Sequence, residues 1–545
     1  MPDKSGNIRI QILIAIVAGL VFIPFLGGVH LFDWDEINFA ESAREMITSG
    51  DYLTVQINFV PFWEKPPLFI WMQVFSMKIF GINEFAARIP NAICGIITLL
   101  ILFNAGRRLY DSRFGITWVF LYAGSMLPFI YFKSGIIDPW FNLFIFLSIY
   151  QIFLYFNDDV KRLNHAMLSA FFLGLAIITK GPVAILVFLI TFLIYLLVRK
   201  FKVQARIKDI LAFTIVITLT GGIWFILQIL QGNFSIIADF IEYQIRLFQT
   251  KDAGHGGFLL YHFVVLFFGV FPASILALPT FFPSRFRPVS NNGFYIWMLI
   301  LFWVVIILFT IVKTKIVHYS SLCYFPLTFM ATLAVYQAEI FFRGKWLQII
   351  TVLITVLGIL IAVITATVTF TDRFKHLIIN RIDDPFAIGN LAAHGGWKGF
   401  EFLAPLILIA GIVVFLLFRK KNTDFAVKAL ASLTALFIFA SLLLIVPKIE
   451  AYSQRAAVEF FESVSDEDAY LTTVGYKSYA HLFYGRAKMH NHFGASDKEW
   501  LLKGDIDKPV YFSSKINRKE KILTEYPDVR FLYEKNGFIF FKRNP

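Results

Sequence analysis

"IQILIAIVAGLVFIPFLGGVHLFDWDEINFAESAREM" (residues 10–46) is apolar as far as Phe32 and then carries six ionisable side chains between residues 33 and 46. The apolar part is long enough to cross a hydrocarbon core, which takes about 17–25 residues. It is too long for the core of a secretory signal, and no small-residue cleavage site follows it. The segment therefore reads as a signal-anchor helix that delivers a charged stretch to the far face of a membrane.

The rest of the chain repeats the pattern. Of 545 residues, 58% are hydrophobic and only 16% charged, with 64 Phe, and long apolar runs recur throughout. Thirteen spans are expected: 10–30, 85–106, 114–132, 138–156, 165–179, 182–198, 209–230, 260–280, 294–312, 318–338, 347–370, 401–418 and 425–446. With a cytoplasmic N-terminus (Lys4, Arg9), alternate loops should hold the Lys/Arg excess. They do so at Arg107, Arg108 and Arg113, at Lys161 and Arg162, and at Arg199, Lys200, Lys202, Arg206 and Lys208. Arg285 and Arg287, Arg343 and Lys345, and Arg419 to Lys421 continue the series. The 50 Lys+Arg against 37 Asp+Glu are thus a topology signal, and no basic stripe calls for nucleic acid. Cys94 and Cys323 lie in apolar segments and suggest neither a disulfide framework nor a metal cluster.

An odd number of spans puts residues 447–545 outside. There "IEAYSQRAAVEFFESV" has helical periodicity, "DAYLTTVG" and "KPVYFSS" read as strands, and "FLYEKNGFIFFK" has the Asn-Gly signal of a tight hairpin. The expected architecture is an all-α polytopic membrane region, residues 1–446, with a first outer loop at 31–84, followed by a small α/β extracytoplasmic domain at 447–545. The outer loops (31–84, 231–259, 371–400) hold mixed charge, aromatics, Pro and Gly, so chemistry is expected on that side.

In residues 36–47, Phe39, Ala43, Met46 and Ile47 share one helical face, which predicts an amphipathic helix lying in the membrane interface. Asp33 with Glu36 three residues later fits a capping box. Asp35 is left over, either merely solvated or catalytic.

The run from Asp33 to Pro90, "DWDEINFAESAREMITSGDYLTVQINFVPFWEKPPLFIWMQVFSMKIFGINEFAARIP", resembles the N-terminal signature of the GT-C membrane glycosyltransferases. The similarity is to the branch of the lipid A aminoarabinose transferases (ArnT-like) and, more distantly, the protein O-mannosyltransferases. "IIDPW" (136–140), "GLAIITKGPVA" (174–184), "YQIRLF" (243–248), "FGVFPASIL" (268–276) and "KTKIVHYSSLCYFPL" (313–327) follow in the expected order. The resemblance implies an inverting transfer of a sugar from a polyprenyl-phosphate carrier to lipid A, a glycan or a protein hydroxyl, at the periplasmic face of the inner membrane. It makes Asp35 the base with Glu36 beside it, Asp138 a second active-site acid, and Arg246 a phosphate ligand. Where the aminoarabinose transferases have Arg two positions after that Glu, this chain has Asn38, which leaves sugar and acceptor open.

Each assignment has a plainer counterpart. Asp138, followed by Pro139, could be an N-cap; Lys65 in "WEKPP" could snorkel; Arg246 could pair with Glu242 four residues before it. Lys180 in "TKGP" sits in a tight outer turn where topology disfavours a cation, so anion binding explains it better. Lys65, Lys180 and Arg246 together suggest one anionic ligand, a donor phosphate. His255 is either a mobile loop residue or a substrate contact, and Lys315 and Tyr319 either interfacial anchors or substrate contacts. The reaction requires no cofactor. Glu64 is the one candidate contact for a divalent metal, because a related enzyme type binds one near this acid. The rival reading is a secondary transporter or lipid-glycan flippase. Such proteins hold ionisable groups near the bilayer midplane, often in repeated halves; here they gather at outer span ends, and no repeat is evident.

Overall fold

The computed structural model describes residues 4–202, 205–250, 256–282, 293–490 and 492–545. All thirteen apolar runs are helical over most of their length. Among the described residues, six helices are long and apolar enough to cross a membrane alone, and two bent pairs bring the number to eight. The count falls short of thirteen because glycine and proline interrupt several runs. Gly222 bends Ile207–Gly221 against Ile223–Leu230 by 56°, and Tyr261–Gly269 turns 109° into Ala273–Phe281. Proline here removes a helix hydrogen bond, and glycine lacks the side chain that would fill the turn.

Charge sorts the two ends of the bundle. At one end Arg108 meets Asp158 (3.5 Å), Arg113 meets Asp424 (3.5 Å), Tyr155 Oη donates to Asp209 (3.1 Å) and Tyr336 Oη to Asp111 (2.7 Å). The exposed pairs among these stabilise little, but together they gather the loops in which the sequence concentrates its cations. The first outer loop and the C-terminal sheet lie at the other end.

The first helix stops at Phe22, short of the predicted residue 30. Lys133 donates to the carbonyls of Phe22 (3.1 Å) and Pro24 (2.6 Å), groups that a helix end leaves unsatisfied. Arg88 takes those of Leu26 (2.8 Å), Val29 (2.7 Å) and His30 (3.0 Å). These two cations hold residues 23–30 as a run of turns leading into the loop.

The loop helix Asp35–Ser49 corrects two expectations. Instead of lying in the membrane interface it is enclosed, with every residue from Glu36 to Met46 buried. Leu31, Ile37, Ala40, Ala43 and Met46 share an apolar cluster with Val458, Phe461, Tyr484 and Phe540 of the C-terminal region. Its charges are satisfied internally. Arg44 makes two bonds to Glu41 (2.6 and 2.7 Å) and one to the carbonyl of Ala487 (2.8 Å). Glu45 accepts the amides of Asn58 (2.6 Å) and Phe59 (2.7 Å); burial and the neighbouring Glu41 push its carboxyl up to about 9. The capping box does not form either. The helix begins after Trp34 without a side-chain cap, and Asp33 turns away to the C-terminal region, accepting from Ser478 Oγ and from the Tyr479 amide (3.1 Å).

That region has a four-stranded sheet in the order Tyr470–Val474, Val510–Lys515, Phe538–Arg543, Val529–Lys535, the first pair parallel and the others antiparallel. The Asn536-Gly537 turn is the expected one, with φ of 49° and 80° that suit a two-residue hairpin. Helix Arg455–Ser463 covers one face, Phe460 stacking 4.4 Å from Phe540.

Candidate active site

At the loop end of the bundle a cavity of ≈ 1080 Å³ opens between the spans, the first loop and the C-terminal region. Asp35, Glu36, Glu64, Lys65, Asp138, Lys180, Arg246 and Tyr319, all singled out from the sequence, line it together. Phe141, Val183, Val187, Phe309, Val312 and Leu322 make its apolar wall.

Asp35 is the first residue of its helix, and its side chain keeps 41% exposure. Glu36 beside it is saturated. Arg88 Nε and Nη2 reach its two oxygens (2.9 and 2.8 Å), and the amides of Gly135 (2.6 Å) and Phe32 (3.0 Å) add to them. Burial alone would raise this carboxyl, but the Arg88 guanidinium outweighs it and holds it below the ordinary range. Glu36 therefore anchors the loop to the bundle, leaving Asp35 as the free acid of the pair.

Asp138 opens helix Asp138–Tyr155 and is buried, accepting from Lys180 Nζ (2.6 Å). Lys180 ends helix Arg162–Lys180, where Gly181 turns the chain with φ of 93°. A side chain on Gly181 would meet Phe240 at 2.6 Å, so this turn needs glycine both for its backbone and for the approach of the second loop helix. That helix, Phe234–Gln249, carries Tyr243, whose ring lies 5.3 Å from Lys65 Nζ and 5.2 Å from Arg246 Cζ. Burial lowers the Lys65 ammonium below the ordinary lysine value, although Glu64 and Asp35 oppose it. Three cations from three separate elements thus face one space that Asp35 and Asp138, with Glu36 and Glu64, also line.

Lys315 corrects the sequence reading. Its ammonium donates to the carbonyls of Phe309 (2.8 Å), Thr310 (2.6 Å) and Val312 (2.6 Å), closing the end of helix Phe294–Ile311, and all three protons are used. His255 lies outside the described residues. Glu64 lines the cavity, and among the described residues no group of three His, Cys, Asp or Glu side chains could hold a metal ion.

Among the lining residues that the sequence reading did not assign to the site are His318, Asn38, Lys477 and Tyr479. His318 stands in a motif already quoted, with Nδ1 3.6 Å from Asp35 Oδ2. Asn38, at the departure from the family pattern, is buried with no hydrogen-bond partner for its side-chain oxygen. Lys477 and Tyr479 come from the C-terminal region and roof the cavity. Trp34 Nε1 donates to the Lys477 carbonyl (3.0 Å), and Lys477 Nζ lies 4.9 Å from the Trp34 ring. No local signal in "GYKSYAH" marks them.

Comparison with known proteins bears on the fold and on sequence kinship. A family model described as dolichyl-phosphate-mannose-protein mannosyltransferase matches residues 64–224. The undecaprenyl phosphate-alpha-4-amino-4-deoxy-L-arabinose arabinosyl transferase of Photorhabdus laumondii is 25% identical over 321 residues, 58% of each chain. Its counterpart in Proteus mirabilis is 24% identical, over 57% of this chain and 56% of its own. The matched part is thus under two thirds of the length of these relatives. The crystal structure of ArnT from Cupriavidus metallidurans bound to undecaprenyl phosphate superposes with a TM-score of 0.78 at 17% identity, covering 98% of this chain and 99% of that one. The chain is thus similar in sequence to the arabinosyl transferases over part of its length and shares the fold of the ArnT crystal structure over nearly all of it. The superposition extends over nearly the whole chain, so the enclosed loop helix and the C-terminal region both lie within the shared fold.

Proposed function

We propose that this chain transfers a sugar from a polyprenyl phosphate to an acceptor hydroxyl, with inversion and with Asp35 as the base. The observation that carries the reading is the shared cavity: one open carboxylate, Asp35, faces the cations Lys65, Lys180 and Arg246 beside an apolar wall. Asp35 takes the acceptor's proton as its oxygen attacks the sugar carbon from the side opposite the phosphate. Negative charge grows on the departing phosphate, and fixed cations in a cleft poor in water stabilise it more than they stabilise the bound donor. Asp138 holds the Lys180 ammonium in position, and Glu36 holds the loop. The apolar wall receives the polyprenyl tail. The acceptor, whether lipid A, a glycan or a protein hydroxyl, enters under the C-terminal roof. No cofactor is needed.

The relatives named above are arabinosyl transferases of undecaprenyl phosphate-alpha-4-amino-4-deoxy-L-arabinose, and the similar crystal structure carries undecaprenyl phosphate, which supports the donor class. The charge sorting of the loops supports an inner-membrane location with the cavity on the periplasmic side. The test is conversion of a radiolabelled undecaprenyl-phosphate sugar by purified protein, with membranes of a deletion strain as acceptor source. Wild type should transfer, and Asp35→Asn, which keeps volume but accepts no proton, should lose at least about 100-fold. Equal rates for the two would end the assignment of the base.

A further inference from the structure

His318 has no part in the reaction as derived so far, yet its position is closely determined. It lies in the 3-10 helix Val317–Cys323, and its carbonyl accepts from Ser321 Oγ (2.6 Å). Ser321 Oγ in turn receives Asn142 Nδ2 (2.8 Å) and lies 3.4 Å from Asp138 Oδ1. The backbone of His318 is therefore tied to the acid that holds Lys180. Its side chain, 16% exposed, reaches the cavity with Nδ1 3.6 Å from Asp35 Oδ2. The charged and titratable groups around the imidazole are Asp35 on the loop helix, Asp138 and Lys180 on two spans, Lys65 on the first loop and His262 on helix Tyr261–Gly269.

The chemistry leaves a task undone. In the transfer the acceptor O–H breaks, the new O–C bond to the sugar forms, and the sugar–phosphate bond breaks with its electron pair going to phosphate. One proton remains on Asp35, and a protonated carboxyl cannot serve the next acceptor. Glu36 cannot take it, because both its oxygens are held by Arg88 and two amides. Lys65 and Lys180 hold their own protons as phosphate ligands. An imidazole is the side chain whose ordinary pKa lets it gain and release a proton near neutrality. A separation of 3.6 Å is too long for a hydrogen bond but short enough to be closed by a small side-chain rotation or bridged by one water.

We propose that His318 takes the proton from Asp35 after each transfer and releases it to water in the cavity, so that carboxylate and imidazole act as a relay pair. Nothing is oxidised or reduced; the proton passes from acceptor oxygen to Asp35, to His318 and to solvent. The inference rests on the transferase reading. It predicts that His318 governs turnover and its pH dependence while donor affinity stays close to wild type.

The test uses full-length protein in detergent with the undecaprenyl-phosphate sugar assay. His318→Gln keeps a polar side chain of similar reach that does not titrate. It should lower kcat by about 10–100-fold, within the usual span of proton-transfer catalysis, change the donor KM less than about threefold, and shift the acid limb of the kcat–pH profile. His318→Ala should be slow and should recover activity as free imidazole is added at fixed pH. A His318→Gln enzyme with wild-type kcat and profile would overturn the relay. So would a slow His318→Ala enzyme that ignores imidazole and keeps the wild-type profile, since that is the behaviour of a packing residue. Absence of transfer by wild type would instead remove the transferase reading itself.

Discussion

Arg88 and Glu36, fifty-two residues apart, meet fork to carboxylate at 2.8 and 2.9 Å, both buried. The arginine belongs to the second predicted span and the glutamate to the loop that presents Asp35, so this pair sets the depth of the base relative to the bundle. Removing one partner leaves a buried charge without compensation, at about 3–5 kcal/mol. Arg88→Leu and Glu36→Leu should each unfold at a markedly lower temperature in detergent. The double variant should recover part of that loss, because it removes both charges. A scanning thermal assay on the three proteins checks the cycle.

Charge on the donor cations should act on rate. Lys180→Ala and Arg246→Ala should lower kcat by 10-fold or more as well as raise the donor KM. Lys180→Arg should restore only part, since a planar fork does not replace a compact ammonium on Asp138. Initial rates against donor concentration decide this. If saturating donor restores the wild-type rate, the cations only recruit the lipid.

Lys65 should give donor capture an alkaline limit. A lysine is charged below its pKa, and burial depresses this one, so its charge is lost at a lower pH than that of an ordinary lysine. In wild type kcat/KM for donor should therefore fall on the alkaline side, at a lower pH than loss of charge from an ordinary lysine would give. Lys65→Arg, whose guanidinium stays charged, should move or remove that limb even if its maximum is lower.

The roof should be separable from the base. Asp33→Asn keeps an acceptor for the Tyr479 amide but loses the charge that faces Ser478 and Lys477. It should cost roughly threefold to tenfold in kcat/KM, far less than Asp35→Asn. Lys477→Ala, which leaves the backbone bond to Trp34 in place, should raise the acceptor KM more than the donor KM. Steady-state kinetics with each substrate varied in turn makes the distinction.

Orientation is checked independently. A C-terminal alkaline phosphatase fusion should be active and a C-terminal cytoplasmic fluorescent reporter dark, as the thirteen crossings and internal N-terminus expected from the sequence require; the opposite pattern would overturn that topology.

Much of the site was legible because charge is conspicuous against apolar sequence. Asp35, Asp138 and Lys180 each stand at the edge of a hydrophobic run, and the cavity contains them all. Lys315 was misread for the same reason. Its cation is equally conspicuous, but the three carbonyls it closes are backbone groups that every residue carries, so sequence cannot signal them. The loop helix passed for an interfacial one because Glu41, Arg44 and Glu45 imitate a wet face, whereas they satisfy one another and nearby backbone groups in the dark of the interior. Asp33 looked like a cap because Glu36 has the right spacing; its partners lie in a distant part of the chain and leave no local pattern.

The tie between Asp33 and Ser478 joins positions 445 residues apart. A ribosome adding about 5–20 residues per second takes roughly 20–90 s to cover that distance. Throughout the interval the base loop has already been threaded across the bilayer while its roof does not yet exist. Chains cut short before residue 478 lack the partner that Asp33 takes in the C-terminal region and the part of the cavity wall that Lys477 and Tyr479 supply. On the proposed function, completion of synthesis would be the arming step, and an unfinished chain would spend no lipid carrier.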